Sequence, residues 1–243
     1  QRPPELLYEP LVVQIAPHTY RLLDAHQLLV MQSQIHQVTL ALLRQSSQQL
    51  EAANVELQHL ASMDALTKVF NRRHLNEYLN KALQLAIHVL LPVSIFLCDV
   101  DYFKRYNDTY GHLAGDDCLQ RIAQGLQAAV DEPISLVARY GGEEFAIVLP
   151  RFPLNPAREL AERLRDRISQ LRIPHAESPL SGHVTLSLGV ATVVPEPGSR
   201  VETLLDAADQ ALYVAKSLGR NRVAVFNSPV ASCLEPRPAY PPP

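Results

Sequence analysis

Cysteine is scarce in this chain: Cys98, Cys118 and Cys233 are the only three in 243 residues, and no two share a CxxC spacing. An odd and widely separated set excludes a disulfide framework and a thiolate zinc site, and is expected of reduced thiols in a cytosolic protein. Long apolar runs are missing as well. The longest stretch, near Leu85–Leu97, is interrupted by His88 and Pro92, so no membrane span is expected. There is no signal-peptide pattern and no internal repeat. The chain opens on Gln1 rather than methionine, which leads to the expectation of a piece of something longer. Charge of one sign is also lacking. A net charge of −3 gives no ground for a general nucleic-acid or membrane-surface binder. What is present is 47% hydrophobic residues, enough for a true core.

Proline and glycine are absent between Tyr20 and Ser62, where Leu, Gln, Ala, Glu and His dominate. That composition favours one long helix. Leu28, Met31, Ile35, Val38 and Leu42 recur at spacings of three and four, as do Leu50, Ala53, Leu57 and Leu60. Both sets read as coiled-coil seams, but eight residues rather than seven separate Leu42 from Leu50, so the seam changes phase there. The alternative is an amphipathic helix packed on its own domain. Residues 1–20, with prolines 3, 4, 10 and 17, read as a linker or remnant with at most a short helix. Residues 21–62 are expected to form the long helix, a dimerising signalling coil on the first reading, with 63–227 the main domain and 228–243 a proline-rich tail expected to be disordered.

Within the main domain the order reads helix (71–86), strand (93–98), helix (116–130), hairpin (136–149), helix (156–171), strand (184–192), helix (201–217), strand (222–226). A hairpin set in helix–strand alternation predicts an α+β fold with a largely antiparallel sheet, of ferredoxin-like palm type. The hairpin carries Arg139-Tyr140-Gly141-Gly142-Glu143-Glu144-Phe145. Gly141 and Gly142 read as the turn, leaving the backbone open to close approach. Glu143 and Glu144 follow on a strand, where neighbours point to opposite faces, so the two cannot share one task. Taken alone, the hairpin also reads as a solvated turn with two surface glutamates.

Other residues make the bland reading insufficient. Asp99 ends a buried strand, which is costly unless it is paired or binds a cation. Asp101, past the strand end, reads as structural. Next to the hairpin, Asp99 would crowd its carboxylate against the glutamates, and a divalent cation relieves that conflict. The following loop offers backbone amides and Lys104 to phosphates. Asn107 and Asp116 supply an amide and a carboxylate, a pair suited to the donor edge of guanine. Lys216 and Arg220, four apart at a helix end, add cations suited to a triphosphate. Each has an ordinary alternative: Asp116 as a helix cap, Asn107-Asp108 as turn residues, Lys216 and Arg220 as helix C-terminal cations, and His112 as a satisfied structural histidine.

Residues 64–226 closely resemble the GGDEF family of diguanylate cyclases, in its GGEEF form. The resemblance rests on five stretches in order. These are Asp64-Ala65-Leu66-Thr67 with Asn71-Arg72-Arg73, then Asp99-Val100-Asp101-Tyr102-Phe103-Lys104 with Asn107-Asp108, Tyr110-Gly111-His112 and Gly115-Asp116. The signature Gly141-Gly142-Glu143-Glu144-Phe145 follows, then Thr185 to Ala191, then Ala215-Lys216 with Gly219-Arg220-Asn221. The resemblance implies a nucleotidyl-cyclase palm with a five-stranded central sheet. It implies that two GTP condense to cyclic di-GMP and two pyrophosphates, one GTP on each of two facing domains. Asp99, Glu143 and the Val100 carbonyl would hold Mg²⁺, or Mn²⁺. Glu144, or Glu143 through the metal, would help deprotonate the 3′-hydroxyl, with Lys104 completing the catalytic set. Phe103, Lys104, Lys216 and Arg220 would hold phosphates, and Asn107 and Asp116 the guanine. His112, Gly141 and Gly142 complete the nucleotide site. The resemblance further implies a homodimer, cytoplasmic, driven by an upstream sensor or receiver domain. The alternative is a non-catalytic GTP-binding module of the same fold. A different nucleotidyl cyclase or polymerase-like palm is disfavoured by the guanine pair and by the lack of a basic run for a primer.

Two positions depart from the family pattern. Lys68 stands where a glycine is frequent, and Glu132-Pro133-Ile134-Ser135 stands where many members carry an Arg-x-x-Asp product-binding site. Weak or absent product inhibition is expected from the second departure.

Overall fold

A computed structural model of the chain describes the backbone at residues 11–16, 19–23 and 25–226, and side chains at 27, 29–51 and 62–226. The chain divides into two compact units, Gln1–Ala61 and Ser62–Pro243. The expected tail at 228–243 lies outside the described residues.

In the stretch read as a linker or the remnant of an upstream element, Leu11–Ala16 (β1) pairs antiparallel with Thr19–Leu23 (β2), where at most a short helix was expected. The helix α1 then runs Ala25–Ser62 as one piece. Of the expected seam residues, Met31, Ile35, Val38, Leu42 and Leu50 are exposed on the single chain. The side chains of Leu28, Ala53, Leu57 and Leu60 lie outside those described.

The second unit is a mixed sheet flanked by helices. Its elements are β3 (Phe70–Asn71), α2 (Arg72–Val89), β4 (Val93–Val100), α3 (Phe103–Tyr110), α4 (His112–Ala129), β5 (Leu136–Gly141), β6 (Glu144–Pro150), α5 (Leu154–Gln170), β7 (Leu186–Val193), α6 (Val201–Ser217) and β8 (Val223–Val225). The strand order is β3-β5-β6-β4-β7-β8. The three inner pairings are antiparallel and the two outer ones parallel. The expected five strands are therefore present, and the two-residue β3 adds a sixth at the edge. It escapes a sequence pattern because two residues carry no period.

Alternation along β4 decides what each face does. Phe96, Cys98 and Val100 point to a core completed by Phe145 and Ile147 of β6 and by Ile122 and Leu164 of α4 and α5. Ile95 and Leu97 point the other way, to a core completed by Ala146 and Val148 of β6 and by Leu79 and Ala208 of α2 and α6. Burial raises the Cys118 thiol to about 12 and the Cys98 thiol further, so both are inert packing groups.

Helix α6 lies unusually close to the sheet. Ala208, Ala211 and Ala215 are buried on its inner side. A Cβ added at Gly189 of β7 would fall 2.2 Å from Ala208 O and 2.2 Å from Leu212 N. Only glycine allows this approach, and the approach sets where the last turn of α6 delivers Lys216.

Candidate active site

The site is built at the strand ends, beginning with Asp99. It continues the stripe of Ile95 and Leu97, so it faces α2 and α6 rather than the α4–α5 core. The antiparallel register sets Asp99 directly across from Glu144 of β6 on one side and Ser187 of β7 on the other. Lys216 Nζ lies 2.7 Å from Asp99 Oδ2, with side chains 30% and 13% exposed. Burial raises the Asp99 pKa; Lys216 opposes this, while Glu143 and Asp101 add to it. Glu144 is likewise raised by burial and by Asp99 and Glu143, against Lys216. These are clustered acids short of positive charge.

The hairpin turn differs from expectation in one respect. Its two turn residues are Gly142 and Glu143, and Gly141 pairs with Glu144 across it. The register shifts between Arg139 and Gly141, which leaves Tyr140 as an extra residue on β5. Glu143 is thus a turn residue and Glu144 alone opens the strand. The two glutamates are separated by turn geometry, not by strand alternation. The Val100 amide donates to the Glu143 carbonyl at 3.4 Å. Gly142 has φ +56°, and nothing lies within 4 Å of a Cβ built at Gly141 or Gly142, so the backbone there is open as expected.

Arg139 holds this turn, a role that sequence reasoning missed. Its Nε donates to the Gly142 carbonyl at 2.9 Å and its Nη1 to Asp64 Oδ1 at 3.2 Å. Asp64 Oδ1 also accepts from the Thr67 amide at 2.8 Å and the Thr67 hydroxyl at 2.7 Å. Burial would raise Asp64, but the Thr67 bonds and the Arg139 charge outweigh it and hold its carboxyl below the ordinary value. The turn so formed puts Lys68 at φ 59°, which explains why glycine suits that position.

Beyond β4 the chain enters α3 through Tyr102, itself at φ 56°. Phe103 and Lys104 occupy the first turn of α3, where backbone amides have no carbonyl partner within the helix. The loop expected at Asn107-Asp108 is therefore helix. Asn107 Oδ1 is buried without a hydrogen-bond partner. It is seated against Gly115, where an added Cβ would stand 2.0 Å from it. Helix α4 begins at His112, not at 116, so Asp116 is an exposed residue of its second turn and does not cap it. Lys104 and His112 are exposed. Arg220, past the end of α6, donates to the Tyr102 hydroxyl at 3.1 Å.

Replacing Gly115 with alanine tests the Asn107 seat. The displaced atom is the end of a side chain, so the domain should fold while Asn107 rotates away. With Asn107 as the guanine contact that the family resemblance implies, GTP affinity should fall about tenfold by calorimetry with little change in thermal midpoint.

All metal-donor candidates are hard oxygens: the carboxylates of Asp99, Glu143 and Glu144, and the Val100 carbonyl. Among the described residues no group of three or more His, Cys, Asp or Glu side chains is placed to hold a metal ion. The Lys216 ammonium already stands as a cation against Asp99.

Comparison with known proteins identifies the family. The family model described as "Diguanylate cyclase, GGDEF domain" matches residues 61–222. The diguanylate cyclase VdcA of Vibrio cholerae is 38% identical over 186 residues, covering 72% of this chain and 53% of that protein. The response regulator PleD of Caulobacter vibrioides is 40% identical over 166 residues, covering 68% of this chain and 36% of that protein. The chain thus spans about a third to a half of the length of these relatives. The solved coiled coil and GGDEF domain of DgcB from Caulobacter crescentus, in complex with c-di-GMP, superposes with TM-score 0.67 at 29% identity, over 78% of this chain and 98% of that one. The chain belongs to the GGDEF-domain diguanylate cyclase family.

Proposed function

We propose that the domain condenses two GTP into cyclic di-GMP and two pyrophosphates. The observation that carries this is the Asp99–Glu144 cross-strand pair beside the open Gly141-Gly142 backbone, with Lys216 2.7 Å from Asp99. In this reading Asn107 and Asp116 hold guanine, and His112 completes the nucleotide site. The amides of Phe103 and Lys104, the start of α3 and the side chains of Lys104, Lys216 and Arg220 hold the phosphates. Gly141 and Gly142 leave room for the nucleotide against the hairpin. Asp99, Glu143 and the Val100 carbonyl would hold Mg²⁺ or Mn²⁺, which when bound supplies positive charge to the triphosphate and the leaving pyrophosphate. Glu144 accepts the proton of the 3′-hydroxyl. That oxygen bonds to the α-phosphorus of the GTP on the facing domain, and the bond from this phosphorus to the pyrophosphate oxygen breaks. The same exchange in the opposite direction closes the ring. Fixed charges and positioning do most of such work.

The test is incubation with Mg²⁺ and GTP followed by chromatography for cyclic di-GMP. A dimeric sample that forms none rejects the reading in favour of a GTP-binding module without catalysis.

The facing arrangement requires two copies, and α1 offers the means. Its exposed Met31, Ile35, Val38 and Leu42, with Leu29, Val30, Leu40 and Leu43 also exposed beside them, offer apolar surface to a partner helix. Among the described residues no helix is long and apolar enough to cross a membrane. An upstream sensor or receiver domain would act through this helix. Inserting or deleting one residue between Arg44 and Gln49 should change the rate of product formation while leaving GTP affinity unchanged. Equal rates across such a series would remove the helix register from the mechanism.

Glu132-Pro133-Ile134-Ser135 closes on itself, with the Ser135 amide and hydroxyl both donating to the Glu132 carbonyl, at 3.0 and 2.7 Å. It offers no arginine or aspartate to a guanine. Calorimetry on the Asp99→Ala protein should show no tight cyclic di-GMP binding, and tight binding would contradict the expected loss of product inhibition.

A further inference from the structure

Asp101 is fully buried and makes no ion pair among the described residues. An isolated buried carboxylate is expensive unless hydrogen bonds offset it. Three donors do so here. Oδ2 accepts from the Thr185 hydroxyl at 2.7 Å and the Asn221 amide at 3.0 Å, and Oδ1 accepts from the Ser187 hydroxyl at 2.6 Å. The Ser187 hydroxyl oxygen also accepts from the Asn221 amide at 3.1 Å.

The Asn221 amide belongs to a costly piece of backbone. Gly219, Arg220 and Asn221 have φ of 107°, 57° and 46°. The last two are left-handed conformations that residues with a Cβ avoid, so something outside the segment must hold them. The Arg220 amide donates back to the Ala215 carbonyl at 3.0 Å, closing the end of α6. Asp101 fixes the next residue.

The side chain of Arg220 is held separately. Its guanidinium lies 4.4 Å from the centroid of the Tyr102 ring, and its Nη1 donates to the Tyr102 hydroxyl at 3.1 Å. Arg105 approaches the same ring at 5.1 Å. Two consecutive residues past β4 therefore grip two consecutive residues past α6: Asp101 the backbone of Asn221, and Tyr102 the guanidinium of Arg220.

We propose that Tyr102 is a positioning residue that presets the Arg220 guanidinium for the triphosphate, on a backbone that Asp101 holds in place. This rests on the reading of Arg220 as a phosphate contact. A long arginine left free must give up rotamer freedom when it binds, and a stacked one has given it up beforehand. The partners of Tyr102 are Arg220, Arg105, Tyr106 and His175, and not the proposed guanine contacts Asn107 and Asp116 or the carboxylate pair, so its effect should appear on the phosphates alone.

The experiment measures GTP and guanosine affinities by calorimetry for the native chain, Tyr102→Leu, Arg220→Ala, the double variant and Tyr102→Phe. Tyr102→Leu should weaken GTP about three- to tenfold, the range of a cation–π contact, and leave guanosine unchanged. The double variant should match Arg220→Ala alone, since Tyr102 acts only through Arg220. Tyr102→Phe keeps the ring and should lose less than Tyr102→Leu. Unchanged GTP affinity in Tyr102→Leu overturns the inference, as do additive losses in the double variant. An equal loss of guanosine affinity would reduce Tyr102 to a structural residue. If Arg220→Ala binds GTP as tightly as the native chain, the phosphate reading of Arg220 fails first, and the inference fails with it.

Discussion

Replacing Asp99 with asparagine should lower cyclic di-GMP formation on the order of a thousandfold or more, the scale on which charged groups act in phosphoryl transfer. The substitution keeps the size of the side chain and its place opposite Glu144. What it removes is the charge that pairs with Lys216 and that would hold the cation. The same change should not unfold the domain. Burial raises the pKa of Asp99, so its charged form costs the folded state free energy. For a carboxyl raised in this way, the native state favours the proton, and stability falls as pH climbs through the unfolded and then the folded pKa. Asparagine is neutral throughout and escapes that penalty near neutral pH, although the Lys216 pair is lost. The expected result is a thermal midpoint near that of the native chain together with almost no product. A large drop in the midpoint would instead make Asp99 a structural partner of Lys216. Glu144→Gln is the companion measurement: it should slow product formation while sparing Mg²⁺ affinity, whereas Glu143→Gln should weaken both.

The second large effect concerns stability and is expected at Gly189. An added methyl would meet Ala208 O at 2.2 Å, Leu212 N at 2.2 Å and Leu212 Cα at 2.7 Å. All three are backbone atoms of a helix and cannot rotate aside. Helix and sheet must separate, and overpacking of this kind costs on the order of 3 kcal/mol. For a domain of this size the thermal midpoint should fall by about 6–12 °C. Displacing α6 also draws Lys216 away from Asp99, so the folded fraction should lose activity too. Gly125→Ala is the contrast. Its methyl would meet only side-chain ends, Ile168 Cδ1 at 3.0 Å and Leu171 Cδ1 at 3.3 Å. Alanine is also about 1 kcal/mol better than glycine within a helix, so that variant should melt close to the native chain. Similar losses at both positions would remove the close-approach argument.

These two residues mark how far the sequence can be read. Asp99 was legible because a carboxylate closing a run of buried-strand residues conflicts with its own surroundings. The α+β order was legible because short apolar runs sit between amphipathic helices and a glycine pair marks the hairpin at 136–149. Gly189 was not, since its reason lies in a helix that follows it by a dozen residues and more. Helix α3 was missed for a local reason. It has only 8 residues, enters through a left-handed Tyr102, and has no side-chain cap. The start of α4 was misplaced because Gly115-Asp116-Asp117 imitates a helix opening, whereas Gly115 is small to admit Asn107. Tyr102 and Arg139 act through partners 118 and 75 residues away, Arg220 and Asp64, and no spacing rule reaches that far.

The extra residue at Tyr140 makes the two arms of the hairpin unequal in what they tolerate. The pairing of β6 with β4 runs without a shift from Val93↔Pro150 to Asp99↔Glu144. The pairing of β6 with β5 is the one that slips. The height of the Glu144 carboxylate is therefore indexed from the central strand and not from its own hairpin partner. Length changes in the β5 arm can be taken up at the slip, at the expense of Arg139 and its hold on the turn. A single residue gained or lost in the β6 arm has no such outlet: it inverts the parity of that strand and carries Glu144 through to the opposite face of the sheet.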